Sequence, residues 1–230
     1  MDTPALRLMV IPGCPFVQRT RMVLAAKGLE AELVEIDLAA KPEGFEALSP
    51  LGKVPVLIHE GRPLVESTVI NQYLEERFPE PALTPQDPYR RAQMRFWINV
   101  DETRLVPAFY RLVMAQEPDR QRRALGQYQT ELQRFETLAL GGTGPFILGE
   151  ALTLADVTAF THLQRLPLLV AHRGLPVPSR EGRLARWLAA VAALPAAVAT
   201  APAQAAMAED MAPYLAGRAQ GTTAVDMSPA

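Results

Sequence analysis

Apolar residues are spaced in two ways along this chain, and the change of spacing divides it. Leu6 to Ile11 is a continuous, partly β-branched run that suits a buried strand, closed by the turn pair Pro12-Gly13. From Pro15 the apolar positions Phe16, Val17, Met22, Val23, Leu24, Ala25 and Ala26 follow a helical repeat, with Gln18, Arg19, Arg21 and Lys27 between them and Gly28 as the stop. Ala31 to Ile36 alternates charged and apolar residues as a second strand. Strand, helix and strand joined by short turns form a βαβ unit with parallel strands and a right-handed crossover. A short helical piece lies around Pro42 to Leu48, and the turn-rich Ser49 to Lys53 leads into a strand over 54–58. His59 to Arg62 turns that strand back into Pro63–Val65, after which Glu66-Ser67 opens a helix through Ile70, Tyr73, Leu74 and Phe78. The order for residues 1–78 is βαβαββα.

Residues 79–88 carry Pro79, Pro81, Pro85 and Pro88 without an apolar repeat and read as a linker. Beyond it every repeat is helical, which predicts an all-α domain over 89–216. A long amphipathic helix runs from Tyr89 to about Ala115 with a kink near Pro107, and a second from Asp119 to Leu140 carries Leu125, Tyr128, Leu132 and Phe135 on one stripe. Thr153-Leu154-Ala155-Asp156 has the spacing of a capping box and starts a helix through Phe160, Leu163 and Leu166. Further helices are predicted over Arg180–Leu194 and Met207–Leu215, and the tail 217–230 reads as disordered.

Composition narrows the function. A chain of 230 residues, 49% hydrophobic, can bury two modest cores. The net charge of −2 offers no broad attraction for nucleic acid or anionic lipid. No apolar run reaches the ~20 residues a spanning helix needs, and no signal segment is visible, so a soluble cytoplasmic protein is expected. His59, His162 and His172 lack ligand spacing, so no metal is expected.

The single cysteine, Cys14, falls where the first helix begins. Proline suits the first helical position, so Pro15 is N1 and Cys14 the N-cap. Free N–H groups and the positive end of the helix dipole there favour a thiolate, which predicts a thiol more acidic than the ordinary ~8.5. The competing reading is an inert, buried small hydrophobe. Two other segments bear on the same site. Val54-Pro55 opens a strand where proline cannot donate to the ladder; a cis peptide there would leave the Val54 backbone to pair with a peptide-like ligand, and an ordinary trans edge proline is the alternative. Glu66-Ser67 begins the third helix, whose N–H groups and Ser67 hydroxyl suit a carboxylate while Glu66 suits an ammonium; a plain serine cap explains Ser67 equally well.

Taken together, Cys14-Pro15-Phe16, the run Gln18 to Gly28, Lys41-Pro42-Glu43, Val54-Pro55-Val56-Leu57, Glu66-Ser67, Asp87-Pro88-Tyr89 and the Thr153–Asp156 box resemble the glutathione transferase superfamily over residues 5–195. The cysteine makes the chain most similar to the omega class. The resemblance implies a thioredoxin-like domain followed by an all-α domain, commonly as a homodimer. It implies that Cys14 forms a mixed disulfide with glutathione and that Phe16 lines the pocket. Lys41 would contact the glycyl end, Val54 would pair with the cysteinyl backbone through cis Pro55, and Glu66 and Ser67 would hold the γ-glutamyl end. Thr153 and Asp156 match the family's folding box.

Position 17 is valine, so a dithiol Cys-x-x-Cys route is closed and a second glutathione must resolve the mixed disulfide. The expected activity is thiol transfer: deglutathionylation, dehydroascorbate reduction or reductive removal of glutathione from S-conjugates. The alternatives are a conjugating transferase and a non-enzymatic scaffold on the same fold. The second substrate is expected between Cys14 and the first helix of the all-α domain, where Met94, Trp97, Asp101 and Leu105 share a face, with core packing the competing explanation for Met94 and Trp97.

Overall fold

The N-terminal half is assembled on β1 (Leu6–Val10), which lies inside a four-stranded sheet of order β2-β1-β3-β4. The structure, a computed structural model, describes residues 6–37 and 40–219. From β1 the chain passes through α1 (Pro15–Ala26) to β2 (Ala31–Glu35), which pairs parallel with β1 in the register Leu6 to Ala31 through Val10 to Glu35. After α2 (Phe45–Leu48), strand β3 (Val56–His59) runs antiparallel to β1, β4 (Arg62–Val65) runs antiparallel to β3, and α3 (Ser67–Arg77) closes the unit. This is the expected βαβαββα order. The third strand begins at Val56, two residues later than its apolar run suggests, because Pro55 has no N–H for the ladder.

The N-terminal core is made where Leu8, Val56 and Leu57 of the sheet meet Met22 and Val23 of α1 and Ile70 and Leu74 of α3, all fully buried. Gly28 ends α1 in the left-handed conformation (φ +63°), which lets the N–H of Leu29 return to the Leu24 carbonyl at 2.9 Å.

The connection to the helical half is fastened rather than loose. The Lys27 ammonium, at the end of α1, donates to the carbonyls of Phe78 (2.7 Å) and Pro81 (3.0 Å) and pairs with Glu75 at 2.6 Å.

The helical half comprises α4 (Pro88–Val100), α5 (Val106–Met114), α6 (Pro118–Arg134), α7 (Leu154–Leu163), α8 (Leu166–Arg173), α9 (Arg183–Ala192), α10 (Pro195–Thr200) and α11 (Gln204–Leu215). The predicted kink near Pro107 takes the form of a π turn at Asp101–Leu105, where the Val106 N–H bonds to the carbonyl of Asp101, five residues back. Pro107, next in line, has no N–H to continue the ladder. A second π turn, Phe135–Ala139, ends the helix predicted over 119–140. The helix expected to run through Leu166 stops at Leu163, and α8 starts afresh with Pro167 in its first turn. The short α10 has only Pro195 as its start signal in an alanine-rich stretch. From residue 220 onward the predicted disordered tail lies outside the described residues.

The capping box holds as read. Asp156, fully buried, accepts from the Thr153 N–H (2.9 Å), the Thr153 hydroxyl (2.8 Å), the Ile147 N–H (2.8 Å) and the Trp187 indole N–H (2.9 Å). One carboxylate thereby ties the start of α7 to the 146–149 loop and to α9. Helix α1 packs on α7 and α10 as well as on α3, so it belongs to both halves of the molecule.

Candidate active site

Cys14 sits at the N-cap of α1, with extended backbone (φ −62°, ψ 124°) and Pro15 as the first helical residue. That placement follows from Gly13, whose φ of +81° makes the turn out of β1. Phe16, two residues further on, lines a cavity of about 90 Å³ with Lys53, Val54, Pro55, Glu66, Ser67, Glu102 and Val106; Cys14 is not among the lining residues. The peptide between Val54 and Pro55 is cis. Glu66 holds a left-handed backbone (φ +66°) at the cap of α3, a conformation that costs a non-glycine residue ~1–3 kcal/mol and is kept where the surroundings fix it. Ser67 is the first residue of α3 rather than its cap, so its hydroxyl is not spent on capping.

Five of the residues singled out from the sequence, Phe16, Val54, Pro55, Glu66 and Ser67, are therefore brought to one cavity, with Cys14 two residues from Phe16. Lys41 is not among the lining residues: its ammonium is 3.6 Å from Glu46 and packs over Gly52, and Lys53 is the lysine in the cavity wall.

The face expected to receive the second substrate needs correction. Met94, Asp101 and Leu105 are each at most 2% exposed and belong to the core, while the Trp97 ring packs edge-on against Phe96 and Phe135. This face of α4 already packs into the core at Met94 and Ile98, before the π turn, and the neighbouring residues Glu102 and Val106 line the cavity in place of Asp101 and Leu105.

The residue that organises this corner is Arg19, which is fully buried and was read from the sequence as a polar spacer. Its guanidinium donates to Asp101 Oδ2 (2.9 Å), to Glu102, to the Thr158 carbonyl (3.1 Å) and to Ser67 Oγ (3.4 Å), and it lies over the Phe16 ring at 4.9 Å. The signal was present in the spacing: Pro15, Met22 and Val23 stand four before, three after and four after Arg19, so its charge occupies the buried face of α1 and requires buried partners.

Burial pushes the Asp101 carboxyl up to about 8, with Arg19 opposing and Glu102 adding to the rise. Burial, with Arg19 and Arg165 nearby, holds the His162 imidazole well below its ordinary value and therefore neutral, with Nε2 3.5 Å from Asp101 Oδ1. One guanidinium, the buried Asp101 carboxyl, the partly exposed Glu102 carboxylate and a neutral imidazole thus meet at one place.

The thiol itself departs from the sequence expectation. Cys14 is pushed up to about 12, chiefly by burial and then by the negative charge of Asp210. The N–H groups of Val17 and Phe16 do favour the thiolate, as the helix start requires, but they close no capping hydrogen bond, and Arg165 adds a smaller pull in the same direction. Desolvation outweighs the helix terminus because α11 lies across the turn before Cys14. A Cβ placed on Gly13 would stand 2.3 Å from the Ala206 carbonyl oxygen and 3.0 Å from Asp210 Cβ. Nothing in the sequence near Cys14 announces a helix almost 200 residues away.

Among the described residues no group of three or more His, Cys, Asp and Glu is placed to hold a metal ion, and no helix is long and apolar enough to cross a membrane.

A sheet of this order with a helical domain behind it, a cysteine at the start of α1 and a cis Val54–Pro55 peptide near Glu66 and Ser67 define a class, and comparison with known proteins bears on it. Residues 8–82 match the family described as glutathione S-transferase, N-terminal domain, and residues 118–190 match glutathione S-transferase, C-terminal domain. Mouse glutathione S-transferase omega-1 is 32% identical over 189 residues, spanning 81% of this chain and 76% of its own. The crystal structure of glutathione transferase Omega 3C from Trametes versicolor superposes with a TM-score of 0.81 at 30% identity, covering 94% of this chain and 92% of that one. A Tau-class glutathione S-transferase from mango superposes with a TM-score of 0.80 at 28% identity, covering 92% and 98%. The chain belongs to the glutathione transferase family.

Proposed function

We propose that this protein is a glutathione-dependent thiol transferase of omega type in which Cys14 is the attacking nucleophile. The observation that carries the reading is the placement of the only thiol at the N-terminus of α1, two residues before Phe16, which lines a cavity with Val54, Glu66 and Ser67. The Glu66 carboxylate and the start of α3 suit the ammonium and carboxylate of a γ-glutamyl group. The Val54 backbone, two residues before the β3 ladder begins, suits the peptide portion, and Lys53 or Lys41 the far carboxylate.

The reaction proceeds in two exchanges. The Cys14 thiolate attacks the glutathionyl sulfur of a mixed disulfide, forming a Cys14–glutathione disulfide and expelling the other thiolate. A second glutathione thiolate attacks that disulfide, releasing glutathione disulfide and regenerating Cys14. With valine at position 17 no internal thiol competes for this step. Dehydroascorbate reduction and removal of glutathione from S-conjugates draw on the same covalent intermediate. A homodimer working in the cytoplasm is the assembly and setting that accompany this reading.

A specific observation favours a second reading. With Cys14 held protonated by its surroundings, its S–H can donate to a bound glutathione thiolate, the arrangement of a conjugating transferase, and the Tau-class likeness is compatible with that. Paired assays separate the two. Thiol transfer predicts turnover of a glutathione-capped disulfide that Cys14→Ala abolishes, whereas conjugation predicts turnover of an aromatic halide and little effect on disulfides. Full disulfide-reducing activity in Cys14→Ala would overturn the first reading.

A further inference from the structure

A second concavity lies where α7, α8 and α9 meet, and it shares no lining residue with the cavity of Phe16 and Ser67. Helix α9 has two apolar stripes. Leu184, Trp187 and Val191 are buried, with the Trp187 ring 6.4 Å from that of Phe160 on α7. Ala185, Leu188, Ala189 and Ala192, at the helical spacing of a single face, form the second stripe and one wall of the groove. The opposite wall is Leu163 at the end of α7 and Leu166, Pro167 and Val170 of α8, the helix that starts afresh after Arg165. Gly174, with a left-handed backbone (φ +70°), ends α8, and the connection to α9 adds Pro178 and Val177, which is 72% exposed. Three alanines on its wall keep α9 from filling the space. The groove encloses about 590 Å³, the size of a small-molecule site.

The lining sets the chemistry of an occupant. It contains no Asp, Glu, Lys, Arg or His, and Gln164 is its one polar side chain. The orientation of that amide follows from its neighbours: the nitrogen donates to the Gln18 side-chain oxygen and to the Thr161 carbonyl (3.0 Å). The oxygen, on the other side of the amide, is left to accept, and no donor among the described residues reaches it. An ionic ligand would lose its hydration here with no counter-charge to meet it. An extended peptide would bring N–H and C=O groups for which the walls offer a single partner. A neutral molecule, apolar over most of its surface and with one hydroxyl to donate, matches both the walls and the amide. Rings suit the groove better than a chain, since less conformational freedom is lost on binding.

We propose that this groove is a binding site for a neutral phenol or ring alcohol, whose rings lie between Leu163, Leu166 and the alanine stripe of α9 and whose hydroxyl donates to the Gln164 side-chain oxygen. The proposal does not rest on the thiol-transfer reading, because Cys14 and the glutathione cavity take no part in it.

The test is equilibrium dialysis of 2-naphthol against the full chain, with 2-methoxynaphthalene, which lacks the donor, and naphthalene-2-sulfonate, which is charged, as companions. One 2-naphthol per chain is expected, held equally by Cys14→Ala and under saturating glutathione; its displacement by glutathione would place the probe in the other cavity and overturn the proposal. Ala189→Trp, at an exposed position on the α9 wall, fills the groove without entering the core and should weaken 2-naphthol about tenfold. Gln164→Met keeps the length and removes the acceptor, so 2-naphthol should weaken about fivefold and 2-methoxynaphthalene not at all. Naphthalene-2-sulfonate should bind the parent about tenfold more weakly than 2-naphthol. Should Gln164→Met not fold, the parent decides: 2-naphthol held more tightly than its methyl ether supports the donor contact, and the reverse refutes it. An affinity for 2-naphthol in Ala189→Trp within about twofold of the parent would overturn the site. Sedimentation of both proteins across a dilution series completes the test. The same oligomeric state in both supports a small-molecule site, whereas a state lost in Ala189→Trp makes the face a contact between copies and overturns it. No thiol step enters these measurements, so failure here leaves the thiol-transfer reading standing, and failure of that reading leaves the groove.

Discussion

Replacing Asp101 by asparagine exchanges a buried carboxyl for a group of the same shape that cannot ionise, and the surroundings of Asp101 set the consequence. Folded Asp101 titrates near 8, against ~3.9 for an unfolded aspartate. The folded state therefore keeps a proton that the unfolded chain releases above pH ~4. The stability this contributes is complete below ~4 and is lost as the pH rises through 8, at about 1.4 kcal/mol per pH unit. Between pH 5.5 and 7.5 that is on the order of 3 kcal/mol from one side chain. Asparagine reproduces the protonated form: its carbonyl accepts from Arg19, as Oδ2 does at 2.9 Å, and its amide nitrogen faces His162 Nε2, now 3.5 Å from Oδ1. Asp101→Asn should therefore match wild type near pH 5.5 and exceed it near 7.5. Urea unfolding followed by tryptophan fluorescence reads this directly, because both tryptophans, Trp97 and Trp187, lie in the helical half. With a urea slope of ~2 kcal/mol per molar, the midpoint difference at pH 7.5 is about 1.5 M. The neutral His162, present in both proteins, gains stability with rising pH up to its unfolded value and cancels in the comparison. An asparagine variant whose midpoint falls between pH 5.5 and 7.5 as steeply as wild type would refute the assignment of the retained proton to Asp101.

Three further outcomes follow from the same contacts. Asp156→Asn leaves two N–H-facing positions with a donor against a donor and should cost about 2–4 kcal/mol in urea unfolding; a loss below 0.5 kcal/mol would contradict the role of the box. Gly13→Ala demands a left-handed alanine and a Cβ inside the Ala206 carbonyl, so hydrogen exchange over 204–215 should rise relative to wild type; unchanged exchange would refute the close contact. With the folded Cys14 thiol pushed up to about 12, wild type should lose stability more steeply than Cys14→Ser as the pH climbs from ~9 toward 12, the buried Tyr110 and Tyr128 acting alike in both, and parallel thermal melts would refute the raised thiol.

The parts of this molecule that were legible in the sequence are those fixed by local spacing. The strand and helix order of the first 78 residues, the start of α1 at Pro15, the capping box at Thr153 and Asp156 and the convergence of Phe16, Val54, Pro55, Glu66 and Ser67 all rest on neighbours within a few residues or on a matched motif. The parts that were not legible depend on long-range placement. The Met94, Asp101 and Leu105 face was read as one side of a helix, but which side packs into the core and which meets the cavity depends on the elements behind it. Arg19 was written off as a spacer although its position on the buried face called for partners, which α3, the π turn after α4 and α7 supply. The acidity of Cys14 was inferred from its own helix, while α11, its Asp210 and the buried Arg165 lie 150 to 200 residues further along the chain.

The measurement that bears most directly on the account is the intact mass of the full chain after incubation with glutathione disulfide, with the modified residue located by peptide mapping. Thiol transfer through Cys14 predicts one glutathione added, on Cys14, removed again by free glutathione and absent from Cys14→Ala. A chain that binds glutathione yet remains unmodified under these conditions would contradict Cys14 as the nucleophile.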